Sequence, residues 1–229
     1  LRFMQSNGGL TDASTFSGKD AVLSGPAGGV IAASQVARQM GFSKVIGFDM
    51  GGTSSDVCRI DTEEGLERTF ARVVAGVRIT APMLNVSTIA AGGGSLLTFD
   101  GRKLQVGPQS AGADPGPLCY RRPGARLALS DANLVLGRVQ PAFFPACFGA
   151  AGDQALDREA ALPGLDSLAQ EGARSLPLAK EGEALGALEL AAGFVRIAND
   201  NMARVIREIS LARGYDLSEY ALLCFGGAA

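Results

Sequence analysis

Histidine and tryptophan are both absent from the 229 residues. The missing imidazole excludes Ser-His-Asp and Cys-His nucleophilic catalysis, H-E-x-x-H zinc sites and imidazole acid–base chemistry together. Any chemistry must therefore rest on carboxylates, hydroxyls, backbone groups or a bound metal. The four cysteines, Cys58, Cys119, Cys147 and Cys224, lie far apart with no C-x-x-C pair. That spacing argues against a zinc knuckle or a small disulfide scaffold and predicts reduced core residues. No run of about 18 apolar residues is present, as a membrane-spanning helix would need. Nor does a charged and then apolar leader open the chain, so the expectation is a cytoplasmic protein that engages no membrane. A formal net charge of −2 gives no broad basic surface for nucleic acid. Neither G-x-x-x-x-G-K-[ST] nor G-x-G-x-x-G occurs, which disfavours Walker and Rossmann nucleotide sites.

What is abundant is glycine, at 31 residues and clustered in turns rather than spread as low complexity. With 47% hydrophobic and 19% charged residues, the chain can bury the core of one large domain or two small ones. In "VIGFDMGGTSSDVCRI", residues 45–60, apolar alternation on either side of Gly51-Gly52 predicts a β-hairpin. Such a turn can aim backbone N–H groups and the hydroxyls of Thr53, Ser54 and Ser55 at an anion, phosphate above all. Asp49 and Asp56 would then face each other across the hairpin mouth, where carboxylates serve Mg²⁺ or position a water. The plainer alternative, a structural turn with aspartates bonded to local backbone, stays open at this point.

Other segments add to the pattern. "LSGPAGGVIAASQVARQMGF" places Gly25, Gly28 and Gly29 before a predicted helix that ends at Gly41. Residues 68–106 read as strands, broken by Gly92, Gly93, Gly94 and Ser95. Gly- and Pro-rich residues 106–124 predict a long irregular loop, and "LSDANLVLGRV" a short helix capped by Ser130 or Asp131. Residues 150–186 suggest small surface helices. A long helix follows, with Leu188, Ala192, Val195, Met202, Ile206 and Ile209 on its apolar face and Gly214 as its stop. "YALLCFGGA" then predicts a buried strand opening on Gly226-Gly227. The chain begins at Leu1 without an initiator methionine and stops at Ala228-Ala229, just past that strand. These ends predict an excised piece.

A strand, D-x-G-G-T, a strand and a later strand ending in G-G resemble the loops of the α/β actin-like (ribonuclease H-like) ATPase fold. In order, "LSGPAGGV", "GFDMGGTSSDV", "TIAAGGGS", "VGPQSAGADPGPLCY", "SDANLVLGR", "GFVRIANDNMARVIR" and "CFGGAA" resemble the hydantoinase A/5-oxoprolinase family over nearly the whole chain. The resemblance is weakest at about 150–186. It implies a hydantoinase A/oxoprolinase domain with a β-rich insertion near 68–128, from an enzyme that opens the lactam of 5-oxo-L-proline to L-glutamate at the expense of ATP with Mg²⁺. Within the family, a hydantoinase or ATP-dependent ketone carboxylase subunit is the alternative, and a non-catalytic nucleotide-binding module is the other. Carried over, Asp49 and Asp56 are the catalytic carboxylates, with Asp49 on the metal. Gly51, Gly52, Thr53 and Ser54 form a phosphate loop, Gly92, Gly93, Gly94 and Ser95 line the same cleft, and Gly226 and Gly227 form the adenosine turn. The family carries a first phosphate loop on an earlier domain, which no residue before Asp49 supplies, so these residues alone are expected to be inactive. Implied partners are the cyclic amide, the remaining domains of the polypeptide or a hydantoinase B-type subunit, and further copies in a homo-oligomer.

Overall fold

The computed structural model describes residues 1–74, 76–175 and 186–228. A small ribbon of β1 (Arg2–Met4) and β2 (Leu10–Asp12) leads through the single turn α1 (Gly18–Ala21) into α2 (Ser24–Gln39). The central hairpin follows as β3 (Lys44–Met50) and β4 (Ser55–Asp61), then the short β5 (Gly65–Leu66). Next come β6 (Arg68–Val74), β7 (Val77–Leu84), β8 (Ser87–Ile89), β9 (Ser95–Phe99) and β10 (Leu104–Ser110). The helices α3 (Leu129–Val135), α4 (Leu162–Ser175) and α5 (Ala187–Ile209) precede the last strand, β11 (Ala221–Phe225).

The central sheet runs β11-β3-β4-β5, with β8 also on β4. β11 is parallel to β3, whereas β3–β4, β4–β5 and β4–β8 are antiparallel. Because side chains alternate along a strand, β3 feeds two cores. Val45 packs with Cys58, Ile60 and the Ala27, Val30, Ala33 and Ala37 face of α2. Ile46, Phe48 and Met50 pack with Leu129, Leu190, Phe194 and Val195 on the other side. The small residues of α2 let the helix lie close to the sheet. A Cβ on Gly47 would already stand 2.8 Å from Cys58 Sγ.

Several expectations are corrected by this architecture. Helix α2 starts at Ser24, so Gly25, Gly28 and Gly29 lie inside it rather than before it. Gly29 serves close packing, a Cβ there falling 3.2 Å from the Phe225 ring. Residues 106–110 belong to β10, whose register shifts between Val106 and Ser110, so the irregular loop begins later than its glycines and prolines suggest. The cap of α3 is Ala128, not Ser130 or Asp131. The Asp131 carboxylate instead accepts N–H bonds from Leu118, Cys119 and Ala128. On α5, Val195, Met202, Ile206 and Ile209 face the core as expected, joined by Leu190, Ala191, Phe194 and Ala198, whereas Leu188 is exposed. β11 alternates rather than being buried, because Ala221, Leu223 and Phe225 pack on the α2 side while Leu222, on the opposite face, is 58% exposed. Of the cysteines only Cys58 and Cys119 are buried, while Cys147 and Cys224 are exposed.

The strands between 68 and 110 divide three ways: β6–β7 and β9–β10 form separate two-stranded ribbons, and β8 joins the central sheet. In the segment 150–186, helix α4 packs Leu165 into the core. Residues 176–185 of that segment lie outside the described ones.

Candidate active site

The turn of the β3–β4 hairpin is short because Gly51 N–H donates to Ser54 C=O at 2.9 Å. A three-glycine segment locks it from below: Gly93 N–H donates to Gly51 C=O at 3.0 Å and Gly94 N–H to Gly52 C=O at 2.6 Å. These bonds turn the carbonyls inward, and among the described residues the N–H groups of Gly52, Thr53 and Ser54 meet no backbone acceptor. Gly52 and Thr53 are exposed. Gly52 has open space where a Cβ would stand.

Gly92 and Gly94 are needed for contact. A Cβ on Gly92 would stand 2.5 Å from Gly51 O, and one on Gly94 2.9 Å from Gly52 O. Their neighbour Ser95 closes the segment, its Oγ accepting from Gly92 N–H at 2.9 Å. The N–H groups of Gly92, Gly93, Gly94 and Ser95 are thus all spent inside the protein, Ser95 N–H on Gly92 C=O. Gly93 is hemmed by Ser130 Oγ and Ala228, at 2.7 and 2.9 Å from its would-be Cβ.

The third loop arrives from β11. Phe225 pairs with Asp49 in the parallel register, and Ala228 N–H donates to Met50 C=O at 3.0 Å. Gly226 holds φ +104° with Met50 O and Asp49 Oδ1 at 2.4 and 2.5 Å from any Cβ. Only glycine combines that backbone conformation with that approach.

Asp49 and Asp56 are cross-strand partners. Burial, and next the charge of Asp56, raise the Asp49 carboxyl above the usual carboxylate range. Thr88 Oγ1 donates to Asp56 Oδ1 at 2.6 Å, and Ser55 Oγ donates to Ala91 C=O at 2.6 Å. Neither Thr88 nor the Ser55 contact stands out in the sequence. Their signal was the polar spacing of "STIAAGGGS" beside a strand, which becomes legible only when β8 is seen to pair with β4. Among the described residues no three His, Cys, Asp or Glu side chains gather as a metal cage.

A cavity of about 210 Å³ opens where the three loops meet, touching Gly52, Gly93 and Gly227 and reaching towards Tyr120, Ser130 and Asn133.

A mixed sheet carrying glycine loops from three parts of the chain frames the site. All of residues 1–229 match the Hydantoinase/oxoprolinase family model, and the chain belongs to that family. It is 48% identical to 5-oxoprolinase 1 of Arabidopsis thaliana over 99% of this chain and 18% of that protein. Among solved structures it resembles ATP-dependent caprolactamase from Pseudomonas jessenii, with 35% identity and TM-score 0.75 over 99% of this chain and 31% of that one. It also resembles nucleotide-free acetone carboxylase, described for ATP-dependent acetone carboxylation, with 26% identity and TM-score 0.79 over 99% of this chain and 30% of that one. The chain thus has the hydantoinase/actin-like ATPase fold and spans less than a third of each of these relatives.

Proposed function

We propose that this chain is the second phosphate-loop lobe of an ATP-dependent cyclic amide hydrolase that opens 5-oxo-L-proline to L-glutamate. The observation that carries the reading is the turn at 51–54. Its carbonyls are drawn inward by Gly93 and Gly94, which leaves the N–H groups of Gly52, Thr53 and Ser54 as an anion nest. Gly52 keeps open space that a side chain would fill. In this reading Gly92, Gly93, Gly94 and Ser95 buttress the phosphate loop, and Gly226 and Gly227 seat the nucleoside side of ATP.

An unstrained amide is a poor electrophile. Transfer of the terminal phosphoryl group of ATP to the lactam oxygen activates the carbonyl carbon, and water then opens the ring with release of ADP and phosphate. The task of the protein is positioning and charge stabilisation, for which no histidine is needed. The Asp49–Asp56 pair suits Mg²⁺, which takes one or two carboxylates and completes its shell with water and phosphate oxygens. When bound, Mg²⁺ neutralises charge on the phosphoryl oxygens. Asp49, its Oδ1 close against Gly226, and Asp56, oriented by Thr88, would hold the ion.

The identity to a 5-oxoprolinase supports the substrate. The caprolactamase and acetone carboxylase neighbours support a second reading, a subunit acting on another lactam or on a ketone with a hydantoinase B-type partner. The cytoplasm, where ATP is supplied, is the proposed compartment, and a homo-oligomer the proposed assembly. No helix among the described residues is long and apolar enough to cross a membrane. The test is turnover by the full-length protein: ATP hydrolysis that starts only on addition of 5-oxo-L-proline, with glutamate released in step. Hydrolysis triggered by caprolactam or acetone instead would move the assignment to the second reading, and hydrolysis indifferent to all three would overturn both.

A further inference from the structure

The β6–β7 ribbon has one face packed and one face bare. On its inner face Ile79, Ala81 and Met83 meet Val22 and Leu23, just before α2. The register shifts between Thr69 and Ala71, and this bulge turns Phe70 and Ala71 outward together. Phe70 and Val73 therefore share the outer face, 66% and 65% exposed, with Arg78 directly opposite Val73. Beside Phe70 a groove of about 460 Å³ separates the ribbon from the Asn7–Gly9 turn, lined by Ile31, Leu66 and Pro82 with Arg68 among them.

The charge on this face has one sign. From Arg68 to Leu84 the sequence holds three arginines and no aspartate or glutamate, in a chain whose net charge is −2. Arg72 is spent on the Val86 carbonyl, and neither Arg68 nor Arg78 meets a carboxylate among the described residues. A second copy laid on the same face would set these cations against themselves, because an isologous contact repeats one patch on both sides. The face is also small. A ribbon whose β6 strand is seven residues long presents roughly 250 Å², short of the roughly 500 Å² per side that a stable contact between separate proteins needs. A tethered partner escapes that requirement, since linkage in one polypeptide supplies a high effective concentration. Resting on the reading above that this chain is one lobe of a longer enzyme, we propose that the outer face of the β6–β7 ribbon docks an acidic segment from the remainder of the same polypeptide. An apolar side chain of that segment enters the groove beside Phe70, and its carboxylates pair with Arg68 and Arg78.

The experiment replaces Phe70, and separately Val73, by the photo-crosslinking residue benzoylphenylalanine in the full-length protein and maps the products by mass spectrometry. Both positions are exposed, so either substitution leaves the packed face of the ribbon intact. Mixing isotope-labelled with unlabelled protein tells links within one polypeptide from links between two. The expected result is a link within one polypeptide to a peptide outside residues 1–229 that carries Asp or Glu. Its yield is expected to fall about tenfold or more when Arg68→Glu and Arg78→Glu are added, because like charges then face each other. Links between labelled and unlabelled copies, links to a peptide without an acidic residue, links confined to residues 1–229 or no link from either position overturn the proposal. So does a yield indifferent to the charge reversal. Lactam-dependent ATP turnover of the unmodified protein, measured alongside, keeps the two readings apart. Turnover without the expected link overturns the docking face alone, whereas the link without turnover overturns the enzyme assignment and supports the docking face.

Discussion

Asp49 and Asp56 stand directly opposite each other in the antiparallel register of β3 and β4, one step from the turn that joins them. Burial and the facing charge push the Asp49 carboxyl upward, so the folded protein holds that proton more tightly than the unfolded chain does. Stability is then lost as pH rises from 3.8, the ordinary value, through the folded value. Asp49→Asn removes the penalty. Its denaturation midpoint is expected above that of the unmodified protein at pH 7, with the difference closing in acid, while ATP turnover is lost. Equal midpoints at pH 7 in urea melts would sink the argument.

Two glycines of the site should respond in opposite ways. Gly52→Val adds its side chain to open space, so stability should change by no more than about 0.5 kcal/mol. On the proposed phosphate-loop reading, turnover by the full-length protein should vanish, because the side chain would occupy the space proposed for the anion. Gly92→Ala instead forces a methyl to 2.5 Å from Gly51 O, an overpacking expected to cost about 1–3 kcal/mol. Thermal melts and turnover measured on both variants separate the roles, and normal activity in Gly52→Val would remove the phosphate from this loop.

Arg59 ties the sheet to the segment before β11. Its side chain is 6% exposed and engages Glu67 at 2.5 Å. It also donates to Tyr220 Oη at 2.9 Å and lies 3.9 Å over the Tyr215 ring. Burial works against ionisation of Glu67, but the hydrogen bonds from Arg59 and Asn85 hold its carboxyl below the usual value. That stabilisation is present above pH 4.5, the ordinary glutamate value, and is lost as pH falls through the folded value. Arg59→Leu should cost about 3 kcal/mol by leaving Glu67 poorly paired and should flatten the loss of stability in acid. Adding Glu67→Leu should recover part of the cost, and a double variant no more stable than the single one would refute the pairing.

Asp131 is fully buried and satisfies three backbone donors. Asp131→Ala orphans all three and is expected to destabilise by about 3 kcal/mol or more, since each buried unmet donor costs about 1–3 kcal/mol. Chemical denaturation of the variant measures it, and a loss under 1 kcal/mol would show that water reaches these groups.

The hairpin was legible in the sequence because Val45, Ile46, Phe48 and Val57, Cys58, Ile60 alternate about a glycine turn, and local pattern decides such an element. The approach of three loops was not legible, since Gly92 reaches Gly51 and Ala228 reaches Met50 by contacts far apart in the chain. Gly29 was misplaced because a glycine that packs a helix against Phe225 looks, in sequence, like one that precedes a helix. The α5 face was only partly read: Leu188, in the first turn, fits the period but looks to solvent. Asp131 reads as a cap, and only the fold brings Leu118 and Cys119 to its carboxylate.

Four hydrogen bonds hold the loops together, from Gly93 to Gly51, Gly94 to Gly52, Ser130 to Gly93 and Ala228 to Met50. Each joins segments that meet only in the finished fold, so none of these amides can be released without parting two loops. They are expected to open as one cooperative unit. The same four amides should exchange with deuterated solvent at a common rate and should slow together when ATP is added, which makes them a built-in reporter of occupancy.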